Sequence, residues 1–210
     1  MIHVMISHRL RNILAAAALA ASFVATAAEP EPQTLDDLSL EQTLQLPAVP
    51  QKQRDEVKAY MLREAKALQK LGYKVETMRH GEVVIATIPA EKLFAPNGTV
   101  LLPGAAKELD SFLPYFRTPG KFKVILAMHS DNTGSEKYLF DLTEKRIVAL
   151  YDFFDTRAAH TDGLMGYPMG ATEQLVPNDN RERRNQNRRL EIFIVPDRGV
   201  IDLSSAKNRK

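Results

Sequence analysis

A largely hydrophobic run, Phe122 to Met128, leads directly into His129-Ser130-Asp131-Asn132-Thr133-Gly134, and Arg146 follows Asp131 by fifteen residues. A carboxylate can hold an ammonium, and a guanidinium can grip a carboxylate through two parallel N–H bonds. Together such a pair matches the zwitterionic end of an amino-acid-like ligand. Each residue also has a plainer reading. Asp131 could be a turn aspartate that satisfies loop amides, with Gly134 free to take positive φ. Arg146 could be a surface arginine laying its stem along an apolar stripe. Spacing alone leaves both open.

Other chemistries find less support. His129 and Asp131 form an H-x-D pair, but a metal site needs three or four converging ligands. His80 and His160 carry no ligand spacing, so no metal or cofactor is expected. No nucleophile elbow, P-loop or dinucleotide fingerprint occurs. Arg181, Arg183, Arg184, Arg188 and Arg189 cluster near Asp179, Glu182 and Glu191. Such a cluster can contact phosphate backbones. It lacks interleaved aromatic residues, which favours pairing with the neighbouring acids over binding nucleic acid.

The N-terminus reads as an address. Arg9 and Arg11 precede an apolar run from Ile13 to Val24, and Ala25-Thr26-Ala27 supplies a small-x-small cleavage site. Residues 1–27 are therefore expected to be a signal peptide, with no transmembrane segment in the mature chain and a periplasmic destination. There are no cysteines, which excludes disulfides and thiol catalysis. Of 28 basic residues two lie within 1–27, where no acid occurs, so 26 face 26 acids in the remainder. That balance gives no global argument for a polyanionic partner.

The elements that must position Asp131 and Arg146 follow from periodicity. Residues 28–51 hold Pro30, Pro32, Pro47 and Pro50 and read as a linker or arm, with Leu35, Leu38, Leu40 and Leu44 leaving room for a short docking helix. In 52–90, Val57, Met61, Ala65 and Leu68 recur at helical spacing, and Gly72 caps that helix. Tyr73–Arg79 and Glu82–Ile88 read as a hairpin turning at His80-Gly81. A helix after Pro103 carries Leu109, Phe112, Leu113 and Phe116, with Pro114 shortening or kinking it. Lys121 to Met128 is a strand, and 136–154 is a helix with Thr143, Ile147, Leu150 and Phe154 on one face. Residues 157–170 look irregular, Arg189 to Val195 closes the sheet, and 198–210 is left as a tail. The expected class is α/β (α+β), a β-α-β-α-β sandwich with helices on one face of a small mixed sheet.

These pieces resemble the OmpA-like C-terminal domain, a peptidoglycan-binding family, across about 91–197. The resemblance rests on His129 to Gly134, on Leu142-Thr143-Glu144-Lys145-Arg146, and on Asn178 followed by Asn187-Arg188-Arg189-Leu190-Glu191-Ile192. It implies a domain that is not an enzyme and that binds peptidoglycan stems, chiefly diaminopimelate, through Asp131 and Arg146. It further implies Asn97 as a secondary contact, with Thr99, Ser130 and Arg188 lining the region. Residues 28–90 would then meet an envelope or outer-membrane partner. The alternative is a structural subunit using the fold for protein contacts. Five departures from the family pattern are Met128, Ser130, Leu139, Ile147 and Arg183, of which Leu139 and Arg183 fall at the rim of the implied site.

Overall fold

The computed structural model describes residues 48–207. The signal peptide read at 1–27, and the arm with its leucines up to residue 47, lie outside the described residues. What was read as the end of the arm is folded: Val49 is buried, and Gln51–Gln53 forms a turn of 3₁₀ helix.

The first helix, α1 (Arg54–Lys70), buries Val57, Met61, Ala65 and Leu68, the stripe its periodicity announced. Gly72, at φ +93°, lets the chain reverse after it. Strands β1 (Lys74–Met78) and β2 (Val83–Pro89) pair antiparallel around a turn at Arg79–Gly81. A short α2 (Ala105–Leu109) passes into 3₁₀ helix over Asp110–Phe116, which contains Pro114. Then come β3 (Phe122–His129), α3 (Glu136–Arg157), β4 (Leu164–Gly170), α4 (Arg181–Asn187), β5 (Arg189–Pro196) and α5 (Arg198–Lys207).

The five strands form one mixed sheet in the order β1-β2-β5-β3-β4, with β3 and β4 parallel and the other neighbours antiparallel. The hairpin read as an extension therefore continues the sheet through the β2–β5 pairing. Register lines up three apolar rows: Val84–Ile194–Val124, Ala86–Ile192–Leu126 and Ile88–Leu190–Met128. These rows share one core with the buried stripes of α1, α2 and α3, so the helices stand on one face, as expected. A smaller cluster of Val83, Ile125 and Val195 lies apart from that core.

Two segments correct the sequence reading. Part of the stretch read as irregular is β4, whose glycines and Pro168 hide a strand pattern. Its place at the sheet edge tolerates a proline, because one side of its backbone needs no ladder partner. The segment read as a tail is α5, which buries Val200 and Ile201 in the main core.

Candidate functional site

Three connections converge on the residues singled out in the sequence. The first is the loop after β2. Phe94 and Leu101 bridge antiparallel, and the Leu102 N–H donates to the Leu93 carbonyl at 2.9 Å, closing the loop at its base. At its tip Asn97 takes φ +57°, a left-handed conformation that asparagine tolerates better than most residues. Asn97 is exposed there, and Thr99 is half-buried.

The second is the β3–α3 connection. The ladder shifts register between Met128 and His129, and the Ser130 N–H donates to the Gly170 carbonyl at 2.6 Å. Asp131 follows, 3% exposed, and its Oδ1 accepts the Thr133 N–H at 2.7 Å. The turn reading of this aspartate is seen directly: it satisfies a loop amide, with one of its two oxygens. Gly134 turns the chain at φ +144°, and Ser135 caps α3 by accepting the Tyr138 N–H at 3.2 Å.

Arg146 lies two to three turns into α3, and the surface reading of it is wrong: it is 4% exposed. Its Nε donates to the Gly98 carbonyl at 2.9 Å and its Nη2 to the Ala95 carbonyl at 3.4 Å. The guanidinium carbon stands 4.9 Å from the centre of the Phe94 ring, a favourable cation–π distance. Arg146 therefore fastens the first loop, with Asn97 at its tip, onto α3. Burial pulls its pKa below the ordinary arginine value, and nearby Arg188 pulls the same way, against an opposing effect of Tyr138.

The third is the α4–β5 junction. Arg188 donates from Nη1 to Asp131 Oδ2 and from Nη2 to Asn185 Oδ1. Burial would raise the Asp131 pKa, but the Thr133 hydrogen bonds and the Arg188 guanidinium outweigh it and hold the carboxyl below its ordinary range. Asp131 and Arg146 do not pair with each other; Asp131 pairs with Arg188 instead.

Sequence reasoning missed the frame behind these groups. Asn187 is fully buried, and its Oδ1 accepts the Leu175 and Val176 N–H groups at 2.9 and 3.2 Å. Its Nδ2 donates to the Val176 carbonyl at 2.7 Å and to Asn178 Oδ1 at 2.9 Å, pinning the loop that precedes α4. Thr143 Oγ1 receives the Gly170 N–H at 3.1 Å, tying α3 to the end of β4. His129 is buried with Nε2 3.3 Å from Glu191 Oε2, while Arg189 Nε donates to Glu191 Oε1 at 2.7 Å. Alternation of Arg189 and Glu191 on β5 was the available signal, since those two side chains had to share a sheet face.

The departures noted in the sequence take ordinary places. Leu139 is buried beneath Gly134, and Arg183 pairs with Asp179 on the surface at 2.5 Å. Among the described residues, no group of three metal-ligating side chains converges.

No family model matches the chain. It is 24% identical over 136 residues to the probable lipoprotein YiaD of Escherichia coli, an alignment covering 64% of this chain and 62% of that one. It is 26% identical over 101 residues to the peptidoglycan-binding protein ArfA of Mycobacterium tuberculosis, across 48% of this chain and 31% of the relative. The chain thus spans less than two thirds of the length of these relatives. Among solved structures, a putative MotB-like protein from Desulfovibrio vulgaris superposes with a TM-score of 0.59 at 22% identity, over 69% of this chain and 98% of the other. The cell wall anchor of the type VI secretion system from Pseudomonas aeruginosa gives 0.53 at 22% identity, over 67% and 97%. Motifs, sheet order and these likenesses agree that the chain carries a domain of the OmpA-like fold.

Proposed function

We propose that this domain binds the peptide stems of peptidoglycan without cutting them, chiefly at diaminopimelate, and so ties the cell wall to an envelope partner. The observation that carries the reading is Arg146, a buried guanidinium held by two carbonyls and a ring face with no carboxylate partner among the described residues; Asp131, also buried, lies on the loop that leads into the same helix. A buried charge without a counter-ion is costly unless something supplies one. A ligand carboxylate would do so, and an adjacent ammonium would find Asp131. The reading takes as further ligand-lining residues Asn97 and Thr99, on the loop that Arg146 fastens, and Ser130 and Arg188, next to Asp131.

The charge states favour holding over chemistry. A general base works best with a pKa near the operating pH. Asp131 is held below the ordinary carboxylate range, and Glu191 is pulled down to about 2. The likeness to a peptidoglycan-binding protein and to a cell wall anchor supports a wall ligand met in the periplasm.

The test is sedimentation of the protein with purified sacculi. Wild type is expected in the pellet, and Asp131→Ala and Arg146→Ala are expected to lose about tenfold or more in retention, a charge-assisted hydrogen bond's worth. Wild type left in the supernatant would sink the reading and favour protein contacts. Release of soluble fragments from the sacculi would point to catalysis.

A further inference from the structure

The charged groups at the site are unequally engaged. Asp131 has both oxygens occupied, Oδ1 by the Thr133 N–H and Oδ2 by Arg188. Arg146 spends Nε and Nη2 on carbonyls, and its Nη1 takes no acceptor among the described residues. One nitrogen of Arg146 is left for a ligand carboxylate, whereas both oxygens of Asp131 are already engaged.

Resting on the reading of Asp131 and Arg146 as a clamp for a zwitterion, we infer that Arg188 is a displaceable latch on Asp131. The ligand's carboxylate seats at Arg146, and its ammonium then replaces the Arg188 guanidinium at Asp131 Oδ2. Exposure decides which partner moves. The Arg188 side chain is 36% exposed and that of Asp131 is 4%, so the arginine can swing into water while the carboxylate stays. Asn185 Oδ1 already holds the other end of the guanidinium and can keep it close after release. Charge favours the exchange as well. Arg188 bears on Arg146 as a like charge, and that repulsion eases when a ligand carboxylate arrives.

The latch makes binding conditional on both ends of the ligand. A carboxylate alone gains Arg146 but leaves Asp131 closed. An ammonium alone must evict Arg188 with no compensating anion. Arg188 is thus a specificity-determining residue: a competitor for Asp131 rather than a ligand contact.

The experiment is calorimetric titration of the full chain with two probes. One is the tripeptide stem ending in meso-diaminopimelate; the other is the same stem with the distal amine acetylated. Arg188→Ala is expected to bind the free-amine probe about three- to tenfold more tightly than wild type, the range of one partly exposed ion pair. Its affinity for the acetylated probe is expected to stay that of wild type. Arg188→Gln, which keeps the length and removes the charge, is expected to match alanine, and it decides the outcome should alanine disturb folding. Unchanged or weaker binding of the free-amine probe by these variants overturns the latch while the clamp stands. Failure of wild type to bind either probe removes the clamp, and the latch with it.

Discussion

Asp131 shows how much a single residue's reading depends on its partners. Spacing alone reads it as a turn aspartate and the family motifs as a ligand group; in the fold it bonds the Thr133 amide through one oxygen and Arg188 through the other. Taken alone, Arg146 reads as a surface arginine because it borders the apolar stripe of its helix. The carbonyls of Ala95 and Gly98, which make its burial tolerable, come from about fifty residues upstream, so no local pattern could show them. At this scale the acid sensitivity of the fold should be visible at Glu191. Burial alone would raise its pKa, but His129 and Arg189 outweigh that and depress it from an ordinary 4.5 to about 2. A depressed folded-state value contributes stability above the unfolded value and loses it as pH falls through the folded one. Wild type should therefore lose about 2–3 kcal/mol between pH 4.5 and 2 that Glu191→Gln does not lose. Urea denaturation across that range measures it, and parallel curves for the two proteins would deny Glu191 the role.

Among the elements, β4 teaches most about the site. Gly166 faces α3 so closely that a Cβ there would lie 2.5 Å from Ile147 Cγ2 and 2.9 Å from Tyr151 Cε2. Ile147 is the residue after Arg146, so the seat of α3 on β4 also sets where the guanidinium stands. Gly166→Ala should cost about 1–3 kcal/mol as an overpacked contact, and should weaken stem binding in step. A variant as stable as wild type would mean that the helix can give way there freely. The amphipathic helices α1 and α3 were legible in sequence because their buried stripes recur at helical spacing, and β3 and β5 because their apolar runs are uninterrupted or alternate. Strand β4 was not, since Leu-Met-Gly-Tyr-Pro-Met-Gly has no clean alternation, and parallel pairing to β3 supplies what the local pattern lacks. Helix α5 was missed for a similar reason: Val200 and Ile201 are a short apolar pair whose burial depends on the core assembled by distant segments.

For the whole molecule, the same motifs that point to the candidate site also announced the fold, because the strand-loop-helix that carries Asp131 is built around β3, which lies second from the sheet edge. What stayed hidden was the division of labour among the arginines. Five clustered basic residues looked alike in sequence, yet Arg188 reaches Asp131, Arg189 is buried against Glu191, and Arg183 pairs on the surface. One site of this kind, with its clamp partly closed by Arg188, should hold a single stem weakly. Anchoring then has to come from number. A sacculus presents many stems, and copies displayed on one surface bind the second stem at an effective concentration set by their tether. Copies attached by one terminus to lipid vesicles should be retained on sacculi about a hundredfold or more better than the free protein, with retention rising steeply with surface density. Retention that rises only in proportion to density would show that each copy binds alone, and would argue for a role in which one tight contact suffices.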